Sequence, residues 1–458
     1  MDFNKVLKDI KPTKEEYDKV YYLLNRLIHI INDYATEGNL NAEAVLVGSV
    51  AKDTWLHKKA DIDIFIKFPL DTPDDNLKEI GLRLGRKCIE TSHGTFEYRY
   101  ASHPYITGFI EGYEIDFVPC YTITSAEQLK SAVDRTILHT DYIKGKLKDE
   151  QKDEVLLLKK FMEIIHTYGA DIKVGGFSGY LCELLIIYYG SFIDVLEAAS
   201  KKWNPKIIID IENHRTSQQF SEPMIVIDPT DKNRNVSAAL KLQKLSEFVI
   251  ASRNFLNNPK EDYFYKKEFK IDLNSIKDNF LKRDTKTLLI TFKPPYVPAD
   301  SLYSQIKKTE NSIKEALERE DFKPLDTASW TDEKEKVIIL LELEVWKLPS
   351  VKKHYGPPIW SQEHQNRFIS KYGDKAYIKG DKWVAEIERE YKDVEPFIED
   401  NLSGNKIGAL RFGKNIKKEI LKENHIMDIV EYLKSSKCNE KELIFFFEYL
   451  NKNIYLIR

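Results

Sequence analysis

The stretch VLVGSVAKDTWLHKKADIDIFIKFP, residues 45–69, decides how this chain is read. It begins inside an apolar run, AEAVLVG (42–48), that reads as a buried strand ending at Gly48. A short polar, amphipathic segment, SVAKDTWLHKKA, leads to a second strand, DIDIFIKFP (61–69). Asp61 and Asp63 are two apart on that strand, so both side chains project from one face, about 6.5–7 Å apart along the backbone. Carboxylates so placed repel each other unless a cation neutralises them. An all-oxygen donor set suits Mg²⁺, a hard ion that keeps waters and takes phosphate oxygens as further ligands. A third acid, Asp116 in EIDFVP, sits on a strand able to run beside the first. Three carboxylates on adjacent strands hold two metals for in-line phosphoryl displacement.

Gly48 and Ser49 supply the other side of such a site. A strand that stops at glycine where a helix starts leaves backbone N–H groups and the Ser49 hydroxyl facing outward, a seat for triphosphate oxygens. Lys52, one turn on, reaches the same phosphates. Alone, each piece has a plainer reading: a lone DxD is usually a solvated strand end, and Gly-Ser usually makes a turn. The composite is specific: strand, Gly-Ser, short helix, DxD on a second strand, and a later Asp strand.

Working outward, residues 1–36 carry helical periodicity through Val20, Leu23, Leu24, Leu27, Ile30 and Ile31. A helix is predicted at 75–91, then strands near 95–101, 106–111 and 112–119, with turns at Gly94, His103-Pro104 and Glu111-Gly112. The pattern is helical from 125 to 170, and GFSGYLCELLIIYYGSFIDVLEAASKKW (176–203) reads as one long buried helix after a Gly-rich entry. The stretch 205–265 is predicted to hold a strand (IIIDI), a loop rich in Pro, Asn and Asp, and a helix at 236–256. A new unit begins near 284, with a βα-ββ order typical of a small α+β sandwich. The hairpin-like AYIKGDKWVAEIERE (376–390) and two terminal helices complete the chain.

At 458 residues, with 42% hydrophobic side chains, the chain has material for several packed domains and is not a disordered protein. The four cysteines, Cys88, Cys120, Cys182 and Cys438, form no CxxC pair, so reduced thiols are expected rather than a disulfide scaffold or zinc site. The N-terminus is charged and helical, and the longest apolar stretch, 181–196, contains Glu183 and Asp194. It falls short of the roughly 20 apolar residues of a membrane span. A soluble, cytoplasmic protein with no membrane partner is the expectation.

Taken together the blocks resemble the nucleotidyltransferase superfamily that includes DNA polymerase beta and poly(A) polymerases. Within it the chain is similar to the archaeal CCA-adding enzymes, the class I tRNA nucleotidyltransferases. HGTFEYRYASHPYITGFIEGYEIDFVPCY (93–121), DRTILHTDYI (134–143), the run from 155 to 192, and DPTDKNRNVSAAL (228–240) carry this resemblance in order, over about residues 40–260. The resemblance implies an α+β multidomain chain: a polymerase-beta-like nucleotidyltransferase head (1–140), a mainly helical central domain (141–265), and an α+β body and C-terminal tail binding tRNA (266–458). It implies addition and repair of the 3′-terminal CCA of tRNA without a template, from CTP and ATP, with release of pyrophosphate.

Residue by residue, the resemblance implies Asp61, Asp63 and Asp116 as catalytic metal carboxylates, with Asp116 on the metal that activates the attacking hydroxyl. Gly48, Ser49 and Lys52 would hold triphosphate. His139, Lys159 and Tyr168 would contact phosphates and sugar, and Arg234 would take part in choosing the base. Two positions depart from the family habit, which often has Glu at Asp61 and Arg at Lys52. The first exchange keeps a hard oxygen ligand; the second gives up a bidentate fork.

Each residue also has a plain alternative. His139 reads as a polar residue near a domain junction, Lys159 as a snorkelling surface lysine, Tyr168 as helix-end packing, and Arg234 as part of a solvated loop. The tyrosines at 180, 188 and 189 read as core. Candidate RNA-facing patches are Lys352/Lys353/His354, the hairpin region with Lys371, Lys375, Lys379, Lys382 and Trp383, and Arg411/Lys414/Lys417/Lys418. Isolated lysines are as readily solvated faces. The runner-up function is a poly(A)-polymerase-like or oligoadenylate-synthetase-like enzyme using ATP alone; a non-catalytic RNA-binding protein on the same fold is the other. Nothing in the sequence decides between a monomer and a homodimer.

The net charge of −3 is unevenly spread: −5 over residues 1–140, +1 over 141–260 and +1 over 261–458. The deficit lies where metal would bind, so an acidic chain remains compatible with patch-based, salt-sensitive RNA binding.

Overall fold

The computed structural model describes residues 1–100, 104–403, 410–435 and 438–457. The turn expected at His103-Pro104 therefore falls partly outside the described residues. The chain divides into two compact units, Met1–Glu268 with Asn453–Arg458, and Phe269–Lys452.

In the first unit, helix α1 (Phe3–Ile10) and α2 (Lys14–Glu37) precede β1 (Glu43–Val47), the single turn α3 (Gly48–Ala51) and β2 (Ile62–Phe68). Then come α4 (Asp74–Thr91), β3 (Thr95–Tyr100), β4 (Pro104–Ile110) and β5 (Tyr113–Tyr121). Thr13 and Glu16 close a reciprocal capping box at the start of α2, satisfying backbone donors that a helix end otherwise leaves bare. The strands form one sheet in the order β1-β2-β5-β4-β3, with β2 and β5 parallel and the other pairs antiparallel. Alternation decides the faces. Ile62, Ile64, Ile66 and Phe68 of β2, with Ile115 and Phe117 of β5, are buried with Val20, Leu24 and Leu27 of α2 and Leu84 and Cys88 of α4. The intervening residues, Asp63 and Asp116 among them, take the opposite face.

That opposite face carries a small apolar patch, Val47, Phe65, Val118 and Cys120, packed with Val133 and Ile137 at the start of α5 (Arg135–Lys146). The remaining helices are α6 (Asp149–Ile164), α7 (Gly179–Tyr189), α8 (Phe192–Lys202) and α9 (Leu242–Asn257), with short strands β6 (Ile207–Ile209), β7 (Met224–Asp228) and β8 (Asp231–Asn235). Their core centres on Phe161, whose ring meets those of Phe192, Phe248, Phe255 and Tyr263. Helix α1 joins this core through Val6 and Ile10 rather than the sheet's own core.

The structure corrects three expectations here. The helix expected at 176–203 is two, α7 and α8, bent by 88°. Gly190 ends the first at φ +108, a left-handed value that glycine adopts freely, and the Ser191 hydroxyl caps the second. The loop expected around 228–235 contains β8, paired with β7. The helix expected at 236 begins at Leu242.

The second unit holds α10 (Leu273–Lys282), β9 (Lys286–Phe292), α11 (Ala299–Arg319), β10 (Lys323–Thr331) and β11 (Val337–Val345). Next are β12 (Val351–Pro358), α12 (Gln362–Tyr372), β13 (Ala376–Lys379) and β14 (Lys382–Glu388). Its tail runs α13 (Val394–Leu402), α14 (Ile416–Lys422), β15 (His425–Asp428), α15 (Ile429–Lys434) and α16 (Glu440–Leu450), where the sequence pattern predicts two helices. One sheet has the order β10-β11-β9-β15 and a second β12-β14-β13. Strand β11 is buried on both faces through Leu343, and its one buried acid, Glu342, is held by Arg283, Thr285 and Tyr449. Among the described residues no single helix is long and apolar enough to cross a membrane.

Candidate active site

The register of the five-stranded sheet assembles the acids. Asp63 lies directly opposite Asp116 across the parallel β2/β5 pair, flanked by Val47 on β1 and Thr107 on β4. The Thr107 hydroxyl donates to Asp116 Oδ1 at 2.5 Å. Asp61 precedes β2 on the same face, and Glu114, held by Arg99, stands in the equivalent place on β5. Burial pushes all three Asp carboxyls up from their ordinary value. For Asp63, burial and then the charges of Asp116 and Asp61 carry it to about 7. Asp61 is raised by burial and next by Glu114, and Asp116 by burial, against the Thr107 hydrogen bond. A cleft of about 800 Å³ opens beside Asp61, lined in part by Lys19, Tyr22, Trp55 and Lys58.

Gly48 meets this acidic face. Its φ is +76, and a Cβ there would land on the Asp63 carboxylate. Any other residue would face both a strained backbone and a clash. The Gly48 N–H is 3.4 Å from Thr140 Oγ1 on α5, while the Ser49 side chain has no hydrogen-bond partner among the described residues.

Behind α3, Lys52 and Lys159 converge on one carboxylate that the sequence pattern does not single out. Glu183 of α7 is fully buried; Lys52 Nζ lies 2.5 Å from its Oε2 and Lys159 Nζ 3.3 Å from its Oε1. The Thr54 hydroxyl donates to Oε1 at 2.5 Å, and Lys159 also donates to the Thr54 carbonyl at 2.8 Å. Lys159 is thus no surface lysine: it is 2% exposed, and burial lowers its pKa despite Glu183. Burial would raise the Glu183 carboxyl, but the two lysines hold it low. Tyr168 adjoins them, since a Cβ on Gly179 would sit 3.1 Å from its Oη and 3.5 Å from Lys159 Nζ.

A second buried carboxylate organises the remaining candidates. Asp228, at the end of β7, takes His139 Nε2 at 2.8 Å and Arg234 Nη1 at 2.9 Å on Oδ2. Its Oδ1 accepts from the Thr230 N–H and hydroxyl and from Tyr180 Oη at 3.2 Å. Burial alone would raise this carboxyl; the His139 hydrogen bond leads the effects that hold it well below the usual range. The His139 ring stacks on Tyr180 at 3.9 Å between centres, and burial lowers its pKa despite Asp228. Lys52 Nζ lies 5.9 Å from the Tyr180 ring centre, so the two buried clusters are neighbours. Tyr180, read as core, is part of the site.

The lysine patches belong to the second unit. Lys353, His354, Lys379 and Lys382 are exposed on its three-stranded sheet and Lys371 on α12; Lys352 pairs with Glu320 and Trp383 donates to Gln365. Arg411, Lys414, Lys417 and Lys418 are exposed on and before α14.

A mixed sheet presenting paired carboxylates beside a glycine-serine turn, backed by buried lysines, defines a nucleotidyltransferase, and residues 26–139 match the nucleotidyltransferase domain family. Residues 153–265 match the second domain of tRNA nucleotidyltransferases, and 283–428 the C-terminal domain of CCA-adding enzymes. The chain is 50% identical over 419 residues to the CCA-adding enzyme of Methanothermobacter thermautotrophicus, covering 92% of this chain and 91% of that protein. It is 38% identical over 410 residues to the one from Methanocaldococcus jannaschii, covering 87% and 90%. Among solved structures, a cytoplasmic RNA terminal U-transferase aligns at 14% identity over 58% of this chain and 98% of that one, with a TM-score of 0.46. The chain belongs to the family of archaeal CCA-adding enzymes.

Nucleotidyltransferases of this superfamily use divalent metals. The acidic face fits such an ion in donor chemistry: hard oxygen donors, partly buried, with Asp63 raised to about 7 by burial and then by the charges of Asp116 and Asp61. Among the described residues no three acidic, His or Cys side chains are already drawn into a cation cage.

Proposed function

We propose that this chain adds and repairs the 3′-terminal CCA of tRNA without a nucleic-acid template, taking CTP and ATP and releasing pyrophosphate. The observation that carries the reading is the parallel register of Asp63 and Asp116, in a chain 50% identical over 419 residues to a CCA-adding enzyme. Asp61, Asp63 and Asp116 hold the divalent metal, with Mg²⁺ favoured by the all-oxygen donor set. When bound it supplies a lowered pKa for the attacking hydroxyl and charge neutralisation for the leaving pyrophosphate.

The rest is the work of the chain itself. Ser49 offers its hydroxyl to the triphosphate, and Gly48 lets the backbone approach the phosphates closely. Lys52 and Lys159 bring two positive charges, of which Glu183 offsets one, leaving a net positive seat for the polyphosphate. Tyr168 and His139 flank the sugar and phosphates. Arg234 presents N–H donors to the base. Arginine only donates, and the Watson–Crick edges of cytosine and adenine both carry an unprotonated ring nitrogen where uracil and guanine carry N–H. A donor-only group at that edge therefore accepts the first pair and leaves the second with donor facing donor, an unpaired contact that selects strongly. The acceptor end of tRNA is the partner and the cytoplasm the compartment in this reading.

The test is incubation with tRNA lacking its CCA end. CTP incorporation before ATP, stopping at the complete end, is expected; open-ended ATP addition would overturn the reading. Chelating the metal is expected to abolish turnover and leave tRNA binding mostly intact. Loss of both together would make the carboxylates structural.

A further inference from the structure

We infer that Asp228 is a specificity-positioning residue: its buried carboxylate locks Arg234 as a fixed donor fork and thereby sets how well CTP and ATP are distinguished from UTP and GTP. This deepens the proposed function and rests on Arg234 reading the base.

The geometry argues for it in two steps. First, Asp228 is itself immobile. It is fully buried, and one of its oxygens is tied by the Thr230 N–H at 2.9 Å and hydroxyl at 2.8 Å, with Tyr180 Oη at 3.2 Å. The other oxygen is shared by His139 Nε2 and Arg234 Nη1. Three segments, α5, α7 and the β7/β8 hairpin, thus meet at one carboxylate. Second, Arg234 is only half committed. Its side chain is 33% exposed, Nη1 is bound by Asp228, and its other nitrogens have no partner among the described residues. One nitrogen of the guanidinium is anchored on a buried carboxylate, in a side chain that is a third exposed.

Anchoring matters because an arginine side chain otherwise samples many rotamers and adapts to what it meets. A mobile guanidinium can slide to the carbonyl oxygens of uracil or guanine and avoid their ring N–H. A fixed one cannot, so rejection of the wrong base depends on the anchor as much as on the arginine. Asp228 touches neither base nor phosphate in this scheme and acts through Arg234.

The experiment measures kcat/KM for each of the four nucleoside triphosphates with the full chain and tRNA lacking its CCA end. Asp228→Asn is nearly isosteric and is expected to lower the CTP-over-UTP and ATP-over-GTP ratios about tenfold or more, a range within reach of one missing hydrogen bond. Tyr180→Phe removes one donor to Asp228 without changing charge; it should shift the ratios the same way by less, and it keeps the test alive should Asp228→Asn fold poorly. The double variant Asp228→Asn/Arg234→Ala should match Arg234→Ala alone, since Asp228 works through Arg234. A uniform loss of rate with unchanged ratios in Asp228→Asn and Tyr180→Phe would overturn the inference and leave Asp228 as a fold anchor. Ratios unchanged in Arg234→Ala would overturn the base-reading role of Arg234, and the inference with it. A lowered ratio in Arg234→Ala alone would sink only the role of Asp228.

Discussion

Asp63 and Asp116 are register partners on the two parallel strands of the sheet, two carboxylates side by side with the Thr107 hydroxyl as the donor to one of them. The folded protein keeps the Asp63 proton up to about 7, where the unfolded chain releases it near the ordinary 3.8. Between those values the folded state binds more protons, so metal-free stability falls as pH rises through that window and levels off above it. Thermal melts in chelator from pH 4 to 8 should show this slope. Asp63→Asn should flatten it, raise the melting temperature in chelator, and abolish nucleotide addition. A variant less stable than its parent in chelator would mean the carboxylate is a structural partner.

Gly48→Ala is expected to be costly twice over. Its left-handed φ of +76 strains an alanine by about 1–2 kcal/mol, and the new methyl displaces the Asp63 carboxylate. Addition rates should drop far more than stability does. Circular dichroism melts beside single-turnover rates separate the two, and near-normal addition would show that the close approach of Gly48 to Asp63 is incidental.

Removing Glu183 leaves two buried ammonium groups without their counter-charge. Glu183→Leu should destabilise by about 3–5 kcal/mol, the range for breaking a buried pair on one side. Glu183→Gln keeps shape and some hydrogen bonding and should cost less. With Gln the KM for both nucleotides should rise more than kcat falls, because the pair of lysines is no longer held together. Equal loss in kcat with unchanged KM would remove the lysine pair from triphosphate binding.

Replacing Lys379 and Lys382, cross-strand partners on the exposed three-stranded sheet, by alanine tests the RNA-facing reading. Every lysine–phosphate pairing removed should shallow the slope of log K against log salt by roughly 0.7–0.9. An unchanged slope assigns both lysines to an ordinary solvated face.

What the sequence disclosed follows from how local each signal is. Asp61, Asp63 and their alternation with Ile62, Ile64 and Ile66 are visible in six consecutive residues, 61–66, since strand periodicity sorts faces without help from the rest of the chain. The order of blocks leading to the CCA-adding family is readable for the same reason. Glu183 escapes because its partners are far off: Lys52 is 131 residues away, and a lone acid in LCELLIIYY argues only against a membrane span until that lysine is seen. Its one clue is its cost, since a charge in an apolar helix demands a buried partner. Asp228 is hidden likewise, 89 residues from His139. Strand β8, DKNRN, has no apolar alternation to betray it. The break at Gly190-Ser191 does carry a signal, a glycine stop followed by a capping serine, which the apolar run on either side outweighs.

Helix α1 and the last described residues belong to one compact unit, although the second unit lies between them in the sequence. Val6 and Ile10 pack into the Phe161 core, while the Leu456 carbonyl accepts from Asn254 Nδ2 at 2.9 Å and Tyr455 stacks on His166 at 3.8 Å. Residues 453–457 are synthesised after all of Phe269–Lys452, so on the ribosome the first unit waits, one seam open, until the second has been translated. Nascent chains halted before residue 453 should therefore leave that seam more open to protease than chains that carry residues 453–457 do, which ties completion of the first unit to translation of the second.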